Sequence, residues 1–255
     1  MINIIRAELY RLSKSKGLYV CLFLVLLTYV IAIAAKAPGG ITLGSMVAFN
    51  QSANVKLDIN QVSFNFTYYF AFIGLVFSAI SVEFSEKTVK NTLSSVTDKN
   101  GYFMAKFAGT VAFGLIIYIV MHLLFYVSNR LINGTEYSSA FGDFALAVAK
   151  HLPLMIAILS LFSFLAFYLR KGALFNTVAI GGPIFFITVA LTLFAIKSTQ
   201  KFAEKLLEYE LGYMMGKIVI DCSSGFMIRC YAVCAAITVL SFFLGWLSFR
   251  KREIA

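Results

Sequence analysis

Charged side chains are scarce in this chain. They make up 13% of its 255 residues, whereas a soluble domain carries about 25%. Apolar residues make up 60%, and the mean hydropathy is +0.84. One core cannot hide so much apolar surface, because a globule of this size still needs a polar exterior. The scarcity of charge therefore excludes an ordinary soluble domain and indicates a protein whose solvent is a lipid bilayer.

Cysteine and histidine are also rare, with four and two copies. The cysteines show no metal-ligand spacing and no CxxC pair, so we interpret them as small apolar side chains, with a Cys222–Cys230 bridge left open. The sequence also lacks HExxH, GxSxG and phosphate-binding loops. We therefore predict a chain that is not an enzyme and has no catalytic residue, metal site or cofactor of its own.

Long apolar runs are what the chain has in abundance. Six approach or reach the roughly 20 residues that cross a bilayer. They are Leu18–Ala35, Val62–Val82, Phe107–Val127, Leu152–Leu169, Ala173–Ile196 and Tyr231–Phe249. The fourth run is short and has room to begin earlier, and Pro183 predicts a kink or a break in the fifth. The sequence thus predicts an all-α, polytopic membrane protein whose six transmembrane helices form one domain over residues 1–255.

The basic residues indicate how these helices are oriented. If the N-terminus is cytoplasmic, thirteen of the 22 Lys and Arg residues fall in about fifty cytoplasmic residues, and the rest in roughly eighty outer ones. This asymmetry predicts a plasma-membrane protein with both termini in the cytoplasm. Because the net charge of +10 is spread between apolar runs and forms no basic face, we expect no nucleic-acid partner.

Three segments between or beside the spans have helical patterns of their own. Met1–Lys16 places apolar residues every three or four positions, which predicts an amphipathic helix on the inner membrane surface. Lys197–Arg229 is too long for a simple turn and predicts one or two outer helices between spans five and six. The longest inner connection, Glu83–Lys106, predicts a short helix with Glu83–Lys87 and Glu86–Lys90 pairs at a spacing of four, followed by a turn.

The six apolar windows contain no Asp, Glu, Lys or Arg. Charges inside a membrane are costly, and those that are retained usually couple ions or protons to transport. The windows therefore predict no ion-driven carrier. His122 lies in the third window and His151 at a membrane edge, and we interpret both as structural histidines. These observations describe a membrane body without an energy source, whose inner loop is suited to docking a soluble partner.

The run that leaves the second span resembles a known motif. Ser81-Val-Glu-Phe-Ser-Glu-Lys-Thr-Val-Lys-Asn-Thr-Leu-Ser-Ser95, with Lys106 opening the third span, is similar to the second-span exit of ABC-2 type permeases, the membrane subunits of ATP-binding-cassette exporters. That family has an acidic residue there, then Gly-Thr-x-Lys-x-x-Leu. Lys87 stands where the family usually has Gly, and Thr97-Asp98-Lys99 replaces its Ser-Arg type turn. The basic N-terminal helix and six spans agree with the same family.

The resemblance implies a mechanism and a set of partners. Residues 83–95 would form a coupling helix that seats in a separate cytoplasmic ABC ATPase, which holds the ATP and Mg. A second permease copy, by default in a homodimer, would complete the transport path. The residues expected to contact the ATPase are Glu83, Glu86, Lys87, Thr88, Lys90, Asn91 and Leu93. The opposing interpretation is that these are solvated loop residues with no partner.

The cargo is weakly encoded. Asn65, Thr67, Tyr68 and Tyr69 open the second span with aromatic and hydrogen-bonding groups, which suits an amphipathic cargo, although such residues also anchor spans in lipid. Small permeases of this kind resemble phenol-soluble-modulin exporters and lantibiotic-immunity pumps, which implies a peptide substrate. The alternatives are export of hydrophobic drugs, lipids or lipid-linked glycans, a membrane-bound sensor or scaffold that recruits a cytoplasmic partner, or a divergent intramembrane enzyme.

Overall fold

A computed structural model describes residues 10–37, 55–64, 67–89, 99–218 and 223–251. This part of the chain is helical and contains no strand. Its helices are α1 (Lys16–Ala35), α2 (Leu57–Phe64), α3 (Thr67–Ser85), α4 (Lys99–Asn133), α5 (Phe141–Leu169), α6 (Gly172–Ala195), α7 (Gln200–Leu207), α8 (Leu211–Lys217) and α9 (Ser224–Lys251). Six of them, α1, α3, α4, α5, α6 and α9, are long and apolar enough to cross a membrane. The prediction of an all-α, multi-pass protein is confirmed.

The spanning helices are longer than several of the predicted windows. α4 has 35 residues, or about 52 Å of helix, against a hydrocarbon thickness of about 30 Å. α3 ends at Ser85 and so includes Glu83, and α4 includes Lys106. Both residues lie just beyond the predicted windows, which end at Val82 and begin at Phe107. They form an ion pair inside the bundle.

α3 and α5 form the centre of the bundle, and each is more than half buried. α5 packs against α3, α4, α6 and α9. α1 lies close to α3, because a Cβ built on Gly74 would come within 2.2 Å of the Cys21 sulfur. This approach needs glycine, as is common where helices meet in membranes. α6 is only 12% buried, so most of its apolar surface faces outward.

The smaller predictions had mixed outcomes. Two short helices, α7 and α8, occupy the segment between the fifth and sixth spans, as expected. α6 continues through Pro183, so the alternative of a broken helix is wrong. Of the predicted N-terminal helix, residues 10–13 are helical, and residues 1–9 lie outside the described residues. Cys222 also lies outside them, so its bridge stays untested.

The bundle has two ends, named here by a buried carboxylate at each. The Glu83 end carries the N-terminal segment around Arg11, the α5–α6 turn and the end of α9, which the contacts below bring together. The Asp58 end carries α2 and the turn between α4 and α5. There Asp58 accepts hydrogen bonds from the Ser139 amide (2.8 Å) and hydroxyl (2.7 Å). The two ends of the described chain therefore lie at the same end of the bundle.

Candidate functional site

The last turns of α3 contain a buried ion cluster centred on Glu83, which is 5% exposed. One carboxylate oxygen, Oε1, accepts from Arg11 and from Lys106 Nζ at 2.6 Å. The other, Oε2, accepts from the Tyr102 hydroxyl at 2.5 Å. Lys106 is 1% exposed. The cluster joins three segments that are far apart in sequence: the N-terminal segment, the exit of α3 and the start of α4.

A main-chain carbonyl completes this cluster. Ala79 O accepts from Arg11 Nη2 at 2.6 Å and from Lys106 Nζ at 3.1 Å. Ala79 lies in a π-helical turn at Phe77–Ser81, which interrupts the α-helical pattern of α3. Such turns change the register of main-chain hydrogen bonds and occur often at functional sites. Arg11 and Lys106 thus share one carboxylate and one carbonyl as acceptors. For Lys106, which is buried, these contacts compensate the cost of burying its charge.

Aromatic and polar contacts attach two further helices to the α3 exit. The rings of Tyr102 and Phe249 are stacked at 5.6 Å, and Phe84 lies edge-on to Phe249 at 6.4 Å. The Gly172 amide donates to Ser85 Oγ at 3.0 Å. The end of α9 and the start of α6 thus contact residues next to Glu83. A displacement of the α3 exit would therefore also move α6 and α9.

α3 ends at Ser85, so residues 83–89 do not form one continuous helix, and residues 90–95 of the predicted coupling helix lie outside the described residues. Glu86, Lys87 and Thr88 form a turn after Ser85, and Lys87 has φ = 57°. The expected Glu83–Lys87 pair on one continuous helix is therefore wrong, and Glu83 pairs instead with Arg11 and Lys106. A left-handed residue is the position at which glycine is least costly. Lys87 adopts this conformation although it is not glycine.

The predicted partner-binding residues divide into three groups. Glu86 and Lys87 are exposed and Thr88 is half-buried, whereas the carboxylate of Glu83 is engaged inside the chain. Lys90, Asn91 and Leu93 lie outside the described residues. Contact of any of them with an ATPase stays a prediction.

The predicted substrate-path residues lie at the start of α3. Thr67 and Tyr68 are buried, and Tyr69 is half-buried beside Phe162, with ring centroids 4.7 Å apart. The hydroxyls of Tyr68 and Tyr29 are 2.8 Å apart. Asn65 lies outside the described residues. Their role in a transport path is untested, and Tyr68 has the packing of a core residue.

Sequence reasoning missed Arg11 and Tyr102 as members of the Glu83 cluster. Lys106 was considered as a cytoplasmic basic residue at the end of the inner connection and as part of the ABC-2 resemblance, but not as a partner of Glu83. A usable signal was present: an acidic residue at the end of one apolar run and a lysine at the start of the next face the same membrane boundary. Nothing in the spacing, however, pointed to the N-terminal segment as the third contributor.

Comparison with protein-family models and with curated proteins gave no match to this chain. Within the described residues, no group of three or more His, Cys, Asp or Glu side chains is arranged to hold a metal ion. The geometry of the Glu83 cluster and of the membrane body therefore carries the functional argument.

Proposed function

We propose that this chain is the transmembrane permease subunit of an ATP-driven ABC exporter, working with a separate ATPase that supplies ATP and Mg. The observation that carries the proposal is the buried Glu83 cluster. It ties the exit of α3 to the N-terminal segment and to α4 through charge-assisted hydrogen bonds. A force that a partner applies to the residues after Ser85 would therefore be transmitted to the bundle through these hydrogen bonds. A permease driven by a separate ATPase requires such a connection.

The surface of the connection supports the same proposal. Glu86 and Lys87 follow Glu83 closely along the chain and are exposed, so a soluble partner can contact them. Lys87 has a left-handed backbone conformation in the turn that follows Ser85. In this proposal Glu86, Lys87 and Thr88, with Lys90, Asn91 and Leu93 further along, contact the ATPase, and Glu83 transmits the movement.

A second copy of the permease and a plasma-membrane location are part of the proposal. α6 is 12% buried and α1 28% buried, so each leaves a large apolar face for lipid or for a twofold partner. The Glu83 end would face the cytoplasm, with both termini on that side. The proposed cargo is an amphipathic, antimicrobial or toxin-like peptide moved out of the cell.

The test reverses two charges on the connection. In proteoliposomes that contain the permease and its copurified ATPase, the double variant Lys87→Glu and Lys90→Glu should still insert. We expect it to lose substrate-stimulated ATP hydrolysis and transport. The matched control is Lys201→Glu with Lys205→Glu, an equal change of charge on α7 at the opposite end of the bundle, which should transport normally.

Three results would contradict the proposal. Normal transport by the Lys87/Lys90 variant would mean that this connection is not the coupling element. Uphill transport by the permease alone, without ATP, would indicate a secondary carrier. Recovery of a signalling protein instead of an ATPase in mild detergent, with no transport, would favour the sensor or scaffold.

A further inference from the structure

A cavity of mixed polarity lies at the Asp58 end of the bundle, between the start of α2 and the first turns of α5. It encloses about 460 Å³, which is within the range of pockets that hold small ligands. Its lining includes two lysines, one aspartate, two serines and a leucine: Lys56, Lys150, Asp143, Ser138, Ser139 and Leu146. This cavity therefore has room for a ligand and presents charges of both signs to it.

One wall of the cavity is fixed by hydrogen bonds within the chain. Asp58 Oδ2 accepts from both the amide and the hydroxyl of Ser139, and Asn129 Nδ2 donates to Ser138 Oγ at 3.0 Å. The two serines are 6% and 8% exposed, so they form the wall and leave the ligand contacts to the charged residues. Because this wall is formed before a ligand arrives, binding costs less conformational entropy.

The charged side chains lie on two sides of this cavity. Lys56 Nζ donates to the Glu136 carbonyl at 2.5 Å, which holds this ammonium group beside the turn between α4 and α5. Asp143 and Lys150 are seven positions apart on α5, so they lie on one face of the helix, two turns from each other. No ion pair between described residues includes the carboxylate of Asp143, which is exposed. Two cations and one carboxylate thus line the same space.

The chemistry of the ligand follows from this charge pattern. Lysine ammonium groups donate to phosphate oxygens, and a carboxylate accepts from a primary amine. A simple anion would contact the lysines but would be repelled by Asp143, whereas a phosphate that carries an amine complements all three side chains. Leu146, which also lines the cavity, is 56% exposed and belongs to a helix apolar enough to cross a membrane. The cavity therefore opens beside a surface suited to lipid.

We propose that this cavity binds the phosphoethanolamine group of a phospholipid. Lys56 and Lys150 contact its phosphate, Asp143 accepts from its amine, and the acyl chains pass Leu146 into the bilayer. A soluble phosphoethanolamine compound has the same charged groups, so the experiment compares the two sources. The site does not rest on the exporter function, since its occupancy needs neither ATP nor a partner.

Lysine acetylation measures occupancy at the site itself. The full chain is placed in nanodiscs of phosphatidylcholine, alone or with phosphatidylethanolamine or phosphatidylglycerol added in equal amounts. Acetylation of Lys56 and Lys150 by acetic anhydride is read by mass spectrometry relative to Lys197, an exposed lysine that does not line the cavity. Phosphatidylethanolamine should slow acetylation of both lysines about threefold to fivefold more than phosphatidylglycerol, the size expected for one exposed ion pair.

Two variants separate the contacts to the amine from those to the phosphate. Asp143→Asn should reduce the protection of Lys56 by phosphatidylethanolamine to the level seen with phosphatidylglycerol, because only the amine loses its partner. Protection by phosphatidylglycerol should persist in this variant and shows that the cavity is still formed. Glu204→Gln, which removes an exposed acidic side chain on α7, is the matched control and should keep the difference between the lipids. Lys150→Gln should weaken the protection of Lys56 by both lipids.

The outcomes decide both the site and the source of its ligand. Protection by the lipid and also by water-soluble O-phosphoethanolamine would mean that the charged group suffices, and protection by the lipid alone would mean that the acyl chains are needed. Either result supports the site. Equal protection by phosphatidylethanolamine and phosphatidylglycerol, no protection of Lys56 and Lys150, or an unchanged difference in Asp143→Asn would overturn the proposal.

Discussion

Two buried polar clusters in this bundle differ in how many of their polar atoms have hydrogen-bond partners. At the Glu83 end both carboxylate oxygens have partners, contributed by the N-terminal segment and α4. Among Tyr29, Tyr68, Tyr118 and His122, one hydrogen bond joins two hydroxyls, while two other polar atoms have no described partner. The first cluster joins three segments through its hydrogen bonds, and the second leaves two buried polar atoms without a described partner.

Both clusters contain side chains that are almost fully buried. A buried charge is tolerated only when it is paired, and removing one partner leaves the others uncompensated. A buried neutral group costs less when unsatisfied, so a protein can carry one at a binding site. Mutation should therefore damage the Glu83 cluster far more than the Tyr118 and His122 pair.

The largest effect is expected from Glu83→Gln. This change keeps the side-chain shape but leaves Arg11 and Lys106 without a countercharge, so the free energy of unfolding should fall by about 3–5 kcal/mol. Unfolding by sodium dodecyl sulfate in mixed micelles measures it. Glu86→Gln, at an exposed neighbouring position, is the control and should change little.

A second change in the same background sharpens this prediction. Adding Lys106→Met to Glu83→Gln removes one of the two uncompensated cations and should recover part of the lost stability. If Glu83→Gln alone is as stable as the parent protein, the cluster does not stabilise the packing of the N-terminal segment against α3 and α4.

An intermediate effect is expected at Lys87, in the turn that adjoins the cluster. A left-handed non-glycine residue costs about 1–2 kcal/mol, so Lys87→Gly should raise the free energy of unfolding by up to about 1 kcal/mol. Lys171→Gly is the matched control, because Lys171 has φ = −126° and offers no strain to relieve. Equal effects of the two substitutions would show that the backbone conformation at Lys87 is not the cause.

The smallest effect is expected from Tyr118→Phe, which is compared here with Tyr68→Phe in the same cluster. Tyr68→Phe removes the hydroxyl that bonds Tyr29 and should cost about 1 kcal/mol. Tyr118→Phe removes a hydroxyl with no described partner and should be neutral or slightly stabilising. Thermal unfolding in detergent compares them. A larger loss of stability for Tyr118→Phe than for Tyr68→Phe would contradict the assignment of the Tyr118 hydroxyl as a group without a hydrogen-bond partner among the described residues.

Much of the fold could be predicted because apolar runs of span length have few alternatives in a bilayer. Every main-chain polar group in hydrocarbon must be satisfied within its own segment, so such runs become helices. The same reasoning does not set the ends of the helices. The predicted windows ended beside Glu83 and Lys106, whereas α3 and α4 continue through these residues, because the pairing of the two charges is not visible to hydropathy.

The candidate sites were less predictable for a related reason. Tyr68 and His122 could be picked out of the sequence, but whether each is satisfied depends on helices that are distant along the chain. Arg11 and Glu83 are 72 positions apart, and no local pattern announces their pairing.

The sequence by itself was enough to predict helical structure, six segments long and apolar enough to cross a membrane, and two termini on the same side, because these properties follow from hydrophobic length and an even number of such segments. Only the tertiary structure decided which polar groups meet. It closed the ion cluster around Glu83 and left Nε2 of His122 facing no described partner, because hydrogen bonding depends on distances of a few ångströms between segments that only packing brings together.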